Sequence, residues 1–278
     1  MMTFHTLCDR AWSKFWEGSK NAPSQASILK RLRASFGGRK ISTITTALVE
    51  DIASKWQREG SSAKTCNRHL SSLGKMLKWA ERRGELERAP YIERFKEGIG
   101  RLRVVSGEEE AEVLRHLTIA GRPDFADIVA CLVDTGMRRD ELLSLLWEQI
   151  EDGWVLLEDT KNGRPRRIPL TQRASKILES YRDQEGGPFL AVAKSTFSDA
   201  WNKAKAAMGI EDKGFVPHSL RHTFASRLLE RRADLFTVSR LLGHTSIKTT
   251  ADVYGHLSPD RAEEAVALLE PGAPDSGH

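Results

Sequence analysis

The chain has 278 residues, 40% of them hydrophobic and 29% charged, with a formal net charge of +5. That length supports about two domains with separate cores. The three cysteines, Cys8, Cys66 and Cys131, are too few and too scattered for a disulfide framework or a zinc site, which points to a reducing compartment. No stretch approaches the ~20 apolar residues of a membrane span. Asp9 and Arg10 interrupt the N-terminus where a signal peptide needs an unbroken apolar run, so a cytoplasmic protein with no membrane partner is expected.

The charge is unevenly spread. Residues 1–100 hold 19 Lys and Arg against 10 Asp and Glu, whereas the remainder holds 24 against 28, so the basic part is N-terminal. Phosphate neutralisation dominates non-specific affinity for nucleic acid, which makes this part the better candidate for gripping a duplex backbone. Four helices are predicted there, over 4–17, 24–36, 46–59 and 62–83. On the last, Cys66, Leu70, Leu73, Leu77 and Ala80 share an arc of about 80° at helical spacing. Lys64, Arg68, Lys75, Lys78 and Arg82 share the opposite one. The bland reading is a core helix with a solvated face, but solvated faces usually mix signs, and this stripe carries one sign only.

Residues 84–105 contain Pro90, three glycines and no sustained apolar period, and read as a linker. Ser106 followed by Glu109 resembles a capping box opening a helix to about 119. A second helix near 124–134 ends at Gly136, which allows a tight reversal. Arg138 and Glu141, three apart, share a face of the next helix, with Arg139 pointing elsewhere. By itself this pair reads equally as a surface ion pair or as a functional group. Strand character is confined to 147–170, where Asn162 and Gly163 give a strong hairpin signal. Lys161 beside that turn would ordinarily be solvated, and Arg164, Arg166 and Arg167 are expected to contact phosphates.

Helices are predicted over 171–184 and 195–208, and another begins near His218 behind Pro217. His222, four residues on, raises an HxxxH zinc reading, but no Glu follows His218 and the flanking Leu220 and Phe224 suggest ordinary packing. Tyr254, one of three tyrosines with Tyr91 and Tyr181, sits on a short helix that Thr249 or Thr250 could cap and from which Gly255 offers an exit. His256 reads as structural or as a hydrogen-bond partner. Ala262, Ala265, Val266 and Leu269 then form an apolar face that needs a partner, before a disordered tail at 271–278.

Arg138 in TGMRRDELLSL (135–145), His218 and Arg221 in HSLRHTFAS (218–226), and His244 and Tyr254 in LLGHTSIKTTADVYGHL (241–257) suit one chemistry. Attack on a phosphodiester builds charge on its non-bridging oxygens, and preorganised donors aimed there supply much of the barrier reduction. Guanidinium forks match two phosphate oxygens and stay charged, so no metal is required. A tyrosine ionises near pH ~10 and needs cations or a base to attack at neutrality. A phosphotyrosyl link conserves the ester's energy, so rejoining needs no ATP.

These residues at these spacings resemble the phage integrase family of tyrosine recombinases, over roughly residues 104–260. The resemblance implies that Arg138 and Arg221 clamp the phosphate, His218 is a general acid/base, His244 donates to the phosphate and Tyr254 is the nucleophile. It also makes Lys161 the acid that protonates the departing 5′ oxygen and Glu141 the support of the first arginine. Nine residues separate His244 from Tyr254, one more than in many members.

The implied fold is mainly α. A helical, SAM-like core-binding bundle (1–88) and a linker (89–105) precede an α-rich catalytic domain with a small antiparallel β-sheet (106–270), and the two domains should close around DNA. The implied activity is site-specific DNA recombination through a covalent 3′-phosphotyrosine, without cofactor. The resemblance further implies double-stranded DNA at a specific site as partner, a homotetramer on DNA built from chains that are monomers in solution, and room for an accessory directionality factor. A bacterial or phage-encoded, nucleoid-associated protein is expected. Two alternatives stay open: a non-cleaving DNA-binding regulator on the same fold, and strand relaxation like that of a type IB topoisomerase.

Overall fold

A computed structural model describes residues 2–98, 102–158 and 165–257. The chain divides into two compact units, Met1–Gly98 and Ile99–His278.

The first unit is a bundle of four helices, α1 (Phe4–Phe15), α2 (Ala22–Phe36), α3 (Thr46–Arg58) and α4 (Ala63–Arg82). Three of them start where a hydroxyl accepts an otherwise orphaned backbone N–H: Thr3 from Thr6, Thr45 from Leu48 and Ser62 from Thr65. Cys66, Leu70, Leu73, Leu77 and Ala80 of α4 are all buried, against Phe4, Leu7, Leu32 and Phe36 among others. The periodic face of the sequence is thus the face that meets the core.

The segment expected as linker begins differently. Residues 89–95 adopt no helix or strand, yet Ala89, Ile92 and Phe95 pack on this same core. Asn67, buried on α4, fixes them: its side-chain amide donates to the Phe95 carbonyl at 2.9 Å and accepts from the Phe95 amide at 3.0 Å. A buried carboxamide satisfied by backbone on both sides explains why a stretch without apolar period still has a fixed path.

The second unit is built on α6 (Pro123–Thr135), whose Phe125, Ile128, Val129, Cys131, Leu132 and Val133 are all buried. Before it runs α5 (Gly107–Ile119), opened by the expected Ser106–Glu109 capping box. Gly136 ends α6 with a left-handed φ of +61°, and a Cβ there would lie 2.3 Å from the Phe224 ring. Only glycine meets both demands. The chain reverses into α7 (Arg139–Leu143) and then a three-stranded antiparallel sheet, β1 (Ile150–Glu151), β2 (Trp154–Leu157) and β3 (Arg166–Pro169). Asp152 and Gly153, both at positive φ, form the tight β1–β2 turn. The Asn162–Gly163 signal falls outside the described residues.

Five further helices follow among the described residues of the unit: α8 (Gln172–Glu179), α9 (Lys194–Ala207), α10 (Pro217–Glu230), α11 (Leu235–Leu242) and α12 (Ile247–Tyr254). α8 stops short of the expected residue 184, and the turns after it bring the Tyr181 hydroxyl to Asp127 at 2.8 Å. Buried Glu110 of α5 accepts from Arg173 of α8 at 2.9 Å and from Arg227 of α10 at 2.6 Å. This carboxylate ties together three helices, among them the one that carries His218 and Arg221. The apolar face expected at 262–269 and the tail at 271–278 lie outside the described residues.

Candidate active site

Five elements converge on one cluster of charge. Arg138 is the N-cap of α7, and its backbone N–H and one guanidinium nitrogen both donate to Glu141, each at 2.7 Å. Glu141 also takes two bonds from Arg166 on β3, at 2.6 and 3.2 Å. Burial alone would raise the Glu141 carboxyl, but the bonds and charge of Arg166, with the hydrogen bonds of Arg138, hold it below the usual carboxylate range. It stays ionised, one anion orienting two cations.

Arg221 on α10 is 4% exposed and donates to the carbonyls of Gly136 at 2.6 Å and Leu242. Arg166 donates its Nε to the neighbouring Leu241 carbonyl at 3.0 Å. Two arginines from separate elements thus satisfy the orphaned carbonyls at the end of α11, where the helix dipole favours cations. Gly243 caps that helix at φ +67°, and a Cβ there would meet the Arg166 side chain at 2.8 Å. Burial, then repulsion from Arg138 and Arg166, lowers the Arg221 guanidinium to about 9, still a cation at neutral pH.

An open cleft of about 580 Å³ is lined by Arg138, Glu141, His218 and Arg221, together with Arg139 and Lys194. Arg139, expected to point elsewhere, faces this same cleft, anchored to Ser198 at 2.7 Å. His218, on the first turn of α10, opens onto the cleft, and partial desolvation of its ring followed by the charges of Arg221 and Arg138 lowers its pKa. It is therefore largely neutral at pH 7. His244 bonds the Thr250 hydroxyl through Nδ1 at 2.8 Å and is lowered to about 4, by burial first and then by Arg221, Arg138 and Arg166. Arg138, Arg166, His218, Arg221 and His244 share one electrostatic neighbourhood.

Tyr254 ends α12 and is 2% exposed among Phe224, Ala225, Leu229, Val238 and Leu242. Its hydroxyl lies 2.6 Å from Nδ1 of His222, whose ring meets His218 edge-on at 5.0 Å. Burial pushes the phenol up to about 12 against the opposing pull of Arg221. His222 is lowered to about 4, by burial and then by His218 and Arg221. With the phenol raised and the imidazole lowered, passing the phenolic proton to that ring is disfavoured in this arrangement. His222 was legible in the sequence only as half of a weak zinc pattern, and its actual neighbour is the tyrosine.

Several expectations need correction. Arg166, expected to contact a phosphate, is buried and spends its donors on Glu141 and Leu241. Alternation along β3 could have shown this, because Arg166 falls on the inward side with Ile168 while Arg167 is exposed and lies over the Trp154 ring. Ser246, not Thr249 or Thr250, caps α12, and Thr250 is buried against His244. Gly255 keeps a right-handed φ of −56° and makes no special exit. Lys161 and Arg164 lie outside the described residues. On the first unit Lys64, Arg68, Lys75, Lys78 and Arg82 are all exposed, with the Lys75 ammonium 4.1 Å above the Phe15 ring.

Residues 110–261, more than half of the chain, match the model of the phage integrase family. The chain belongs to that family. Residues 26–84 of this integrase also match the family's N-terminal SAM-like domain. It is 30% identical to tyrosine recombinase XerD of Listeria monocytogenes over 240 residues, covering 78% of this chain and 80% of that protein. It is 33% identical over 166 residues to tyrosine recombinase XerC of Pediococcus pentosaceus, where the match spans only about half of each, 54% and 55%. Among solved structures, the Tn1549 transposon integrase in complex with a circular intermediate DNA gives a TM-score of 0.78 at 17% identity, covering 97% of this chain and all of that one. A lambda integrase tetramer bound to a Holliday junction gives 0.75 at 21% identity, covering 88% and 78%. At such identities these likenesses bear on fold, and the mainly helical architecture with one small antiparallel sheet is theirs. No helix among the described residues is long and apolar enough to cross a membrane.

Proposed function

We propose that this integrase is a site-specific DNA recombinase, in which Arg138 and Arg221 grip the scissile phosphate, His218 and His244 add donors, and Tyr254 attacks phosphorus. The phosphorus–O5′ bond breaks as the tyrosyl–phosphorus bond forms and the phenolic proton passes to His218 as general base, leaving a 3′-phosphotyrosyl link and a free 5′ hydroxyl once a proton reaches the departing oxygen. Lys161 is the candidate donor of that proton. A 5′ hydroxyl from another strand then reverses the step. Glu141 and Arg166 are supports: the first orients Arg138, and the second holds the carboxylate and the end of α11 in register.

The observation that carries this reading is the cleft lined by Arg138, His218 and Arg221 from distant segments, its two arginines held by acceptors that leave the site cationic. Donors fixed before the phosphate arrives cost no reorganisation during attack, which is where most of their catalytic value lies. The exposed basic stripe of α4 supplies sequence-independent grip on duplex DNA. A homotetramer on double-stranded DNA at a specific site completes the proposal, assembled from monomers in the cytoplasm, with the 89–105 segment joining a core-binding unit to the catalytic one.

The test is to trap the protein on nicked suicide duplexes drawn from a random library and to resolve the products on a denaturing gel. The wild type should give a covalent adduct whose sequenced DNA converges on one site, and Tyr254→Phe should bind the same DNA without adduct. No wild-type adduct would favour a non-cleaving regulator. Adducts without a preferred site, with relaxation of supercoils, would favour the topoisomerase-like reading.

A further inference from the structure

We propose that His222 is a positioning residue that holds Tyr254 in an apolar seat outside the anion cleft, so that strand attack begins with the ring leaving this histidine. The inference rests on Tyr254 being the nucleophile. Three observations carry it. The hydroxyl is 2.6 Å from His222 Nδ1, the only hydrogen bond it makes among the described residues. The ring is 2% exposed, packed by Phe224, Leu229, Val238 and Leu242. And the cleft is lined by Arg138, His218 and Arg221 but by neither His222 nor Tyr254.

The order of contacts is therefore cleft, His218, His222, Tyr254, with the two histidines one helical turn apart on α10 and their rings meeting edge-on. A phosphate clasped in the cleft would meet His218 and the guanidinium groups, not the phenol. The seat also keeps the phenol protonated, since a neutral, buried imidazole beside Arg221 is a poor acceptor for its proton. His222 as a base acting in place is the competing role. It demands that cleavage fall when the imidazole is removed, whereas a seat demands that the tyrosine come free.

The test uses the full chain without DNA, so its failure is separate from failure of the recombinase reading, which the adduct assay decides. Nitration by tetranitromethane is followed for each tyrosine by peptide mass spectrometry. Tyr91, 73% exposed, reports reagent activity, and partly buried Tyr181 reports an intact second unit. His222→Phe keeps a ring but strands the hydroxyl, and an orphaned buried hydroxyl should raise Tyr254 nitration roughly tenfold. His222→Gln restores a partner and should stay within about twofold of wild type. Unaltered or slower Tyr254 nitration in the Phe variant overturns the proposal, as does a wild-type Tyr254 that reacts as fast as Tyr91. Should Tyr181 report that the Phe variant is unfolded, the decision passes to the imidazole 15N spectrum. The His222 Nδ1 resonance must move between wild type and Tyr254→Phe, and an unmoved resonance rejects the seat.

Discussion

The arginines of the cleft and the basic stripe of α4 both present positive charge, but in opposite states. Arg138, Arg166 and Arg221 are partly or fully buried, and each guanidinium is already bonded to a carboxylate or to backbone carbonyls. Lys64, Arg68, Lys78 and Arg82 are exposed and form no ion pair with another described residue. Charge held rigid in a low-dielectric site favours a transition state, whose charge appears at one point. Charge left mobile in water favours a ground state, a polyanion met at many registers. The two regions should therefore fail differently when their cations are removed.

The largest break is Arg221→Ala. Removing one fixed donor to the developing oxyanion should cost about 10²–10³ in single-turnover cleavage. Here the same substitution also strips partners from the Gly136 and Leu242 carbonyls, so a stability loss of about 2–4 kcal/mol should accompany it. DNA affinity should fall much less. Equal losses of cleavage and affinity would move Arg221 into the class of the α4 stripe.

Next comes Glu141→Gln, which leaves Arg138 and Arg166 without their shared counter-charge and should destabilise the second unit by about 3 kcal/mol. The pH dependence has a definite sign. The folded carboxyl is held below its ordinary value, so its contribution is complete above the unfolded pKa of about 4.3 and is lost as pH falls through the lower folded one. Urea melts should separate wild type from the variant fully at pH 7 and progressively less below pH 4. A gap that persists at low pH would mean that packing, and not charge, holds Glu141.

Smaller still is Gly136→Ala, at a site of positive φ where a Cβ would sit 2.3 Å from the Phe224 ring. Strain and overpacking together should cost about 2–3 kcal/mol in chemical melts. Gly136 also lends its carbonyl to Arg221, so cleavage should fall further than the melt alone explains. Loss of stability with cleavage intact would show that the reversal after α6 is scaffold and nothing more.

What was legible in the chain follows the same division. The last helix of the first unit emerges from its apolar period because that pattern is local. Arg138, His218, Arg221, His244 and Tyr254 stand out because charged or titratable groups inside otherwise apolar stretches are conspicuous. What stayed hidden is pairing over distance. Nothing near Arg166 announces that its partner is Glu141, 25 residues back, or that its Nε meets Leu241, 75 residues on. Period-two alternation shows only that Arg166 faces inward. Likewise Asn67 and Phe95 give no local sign of each other, so a stretch that reads as linker lies on the first unit's core. His222 reads as the partner of His218 because the sequence shows spacing along a helix, but not the ring delivered by α12.

The finest distinction is within the α4 stripe itself. Lys75 sits 4.1 Å above the Phe15 ring and 5.3 Å from that of Trp16, so part of its charge is already spent on a cation–π contact. Lys78, one turn on, has no such contact among the described residues. If each exposed cation neutralises one phosphate, Lys78→Ala should lower the slope of log affinity against log salt by about 0.9. Lys75→Ala should lower it by less and should also cost about 0.5–1 kcal/mol of stability in the first unit. Cleavage lost through Lys78→Ala should return when salt is lowered, because tighter ground-state binding replaces what was removed. Cleavage lost through Arg221→Ala should not return, since salt cannot restore a donor that acts at the point of attack. Equal salt slopes for the two lysine variants would mean that the aromatic contact opens on DNA and that Lys75 is as free as its neighbours.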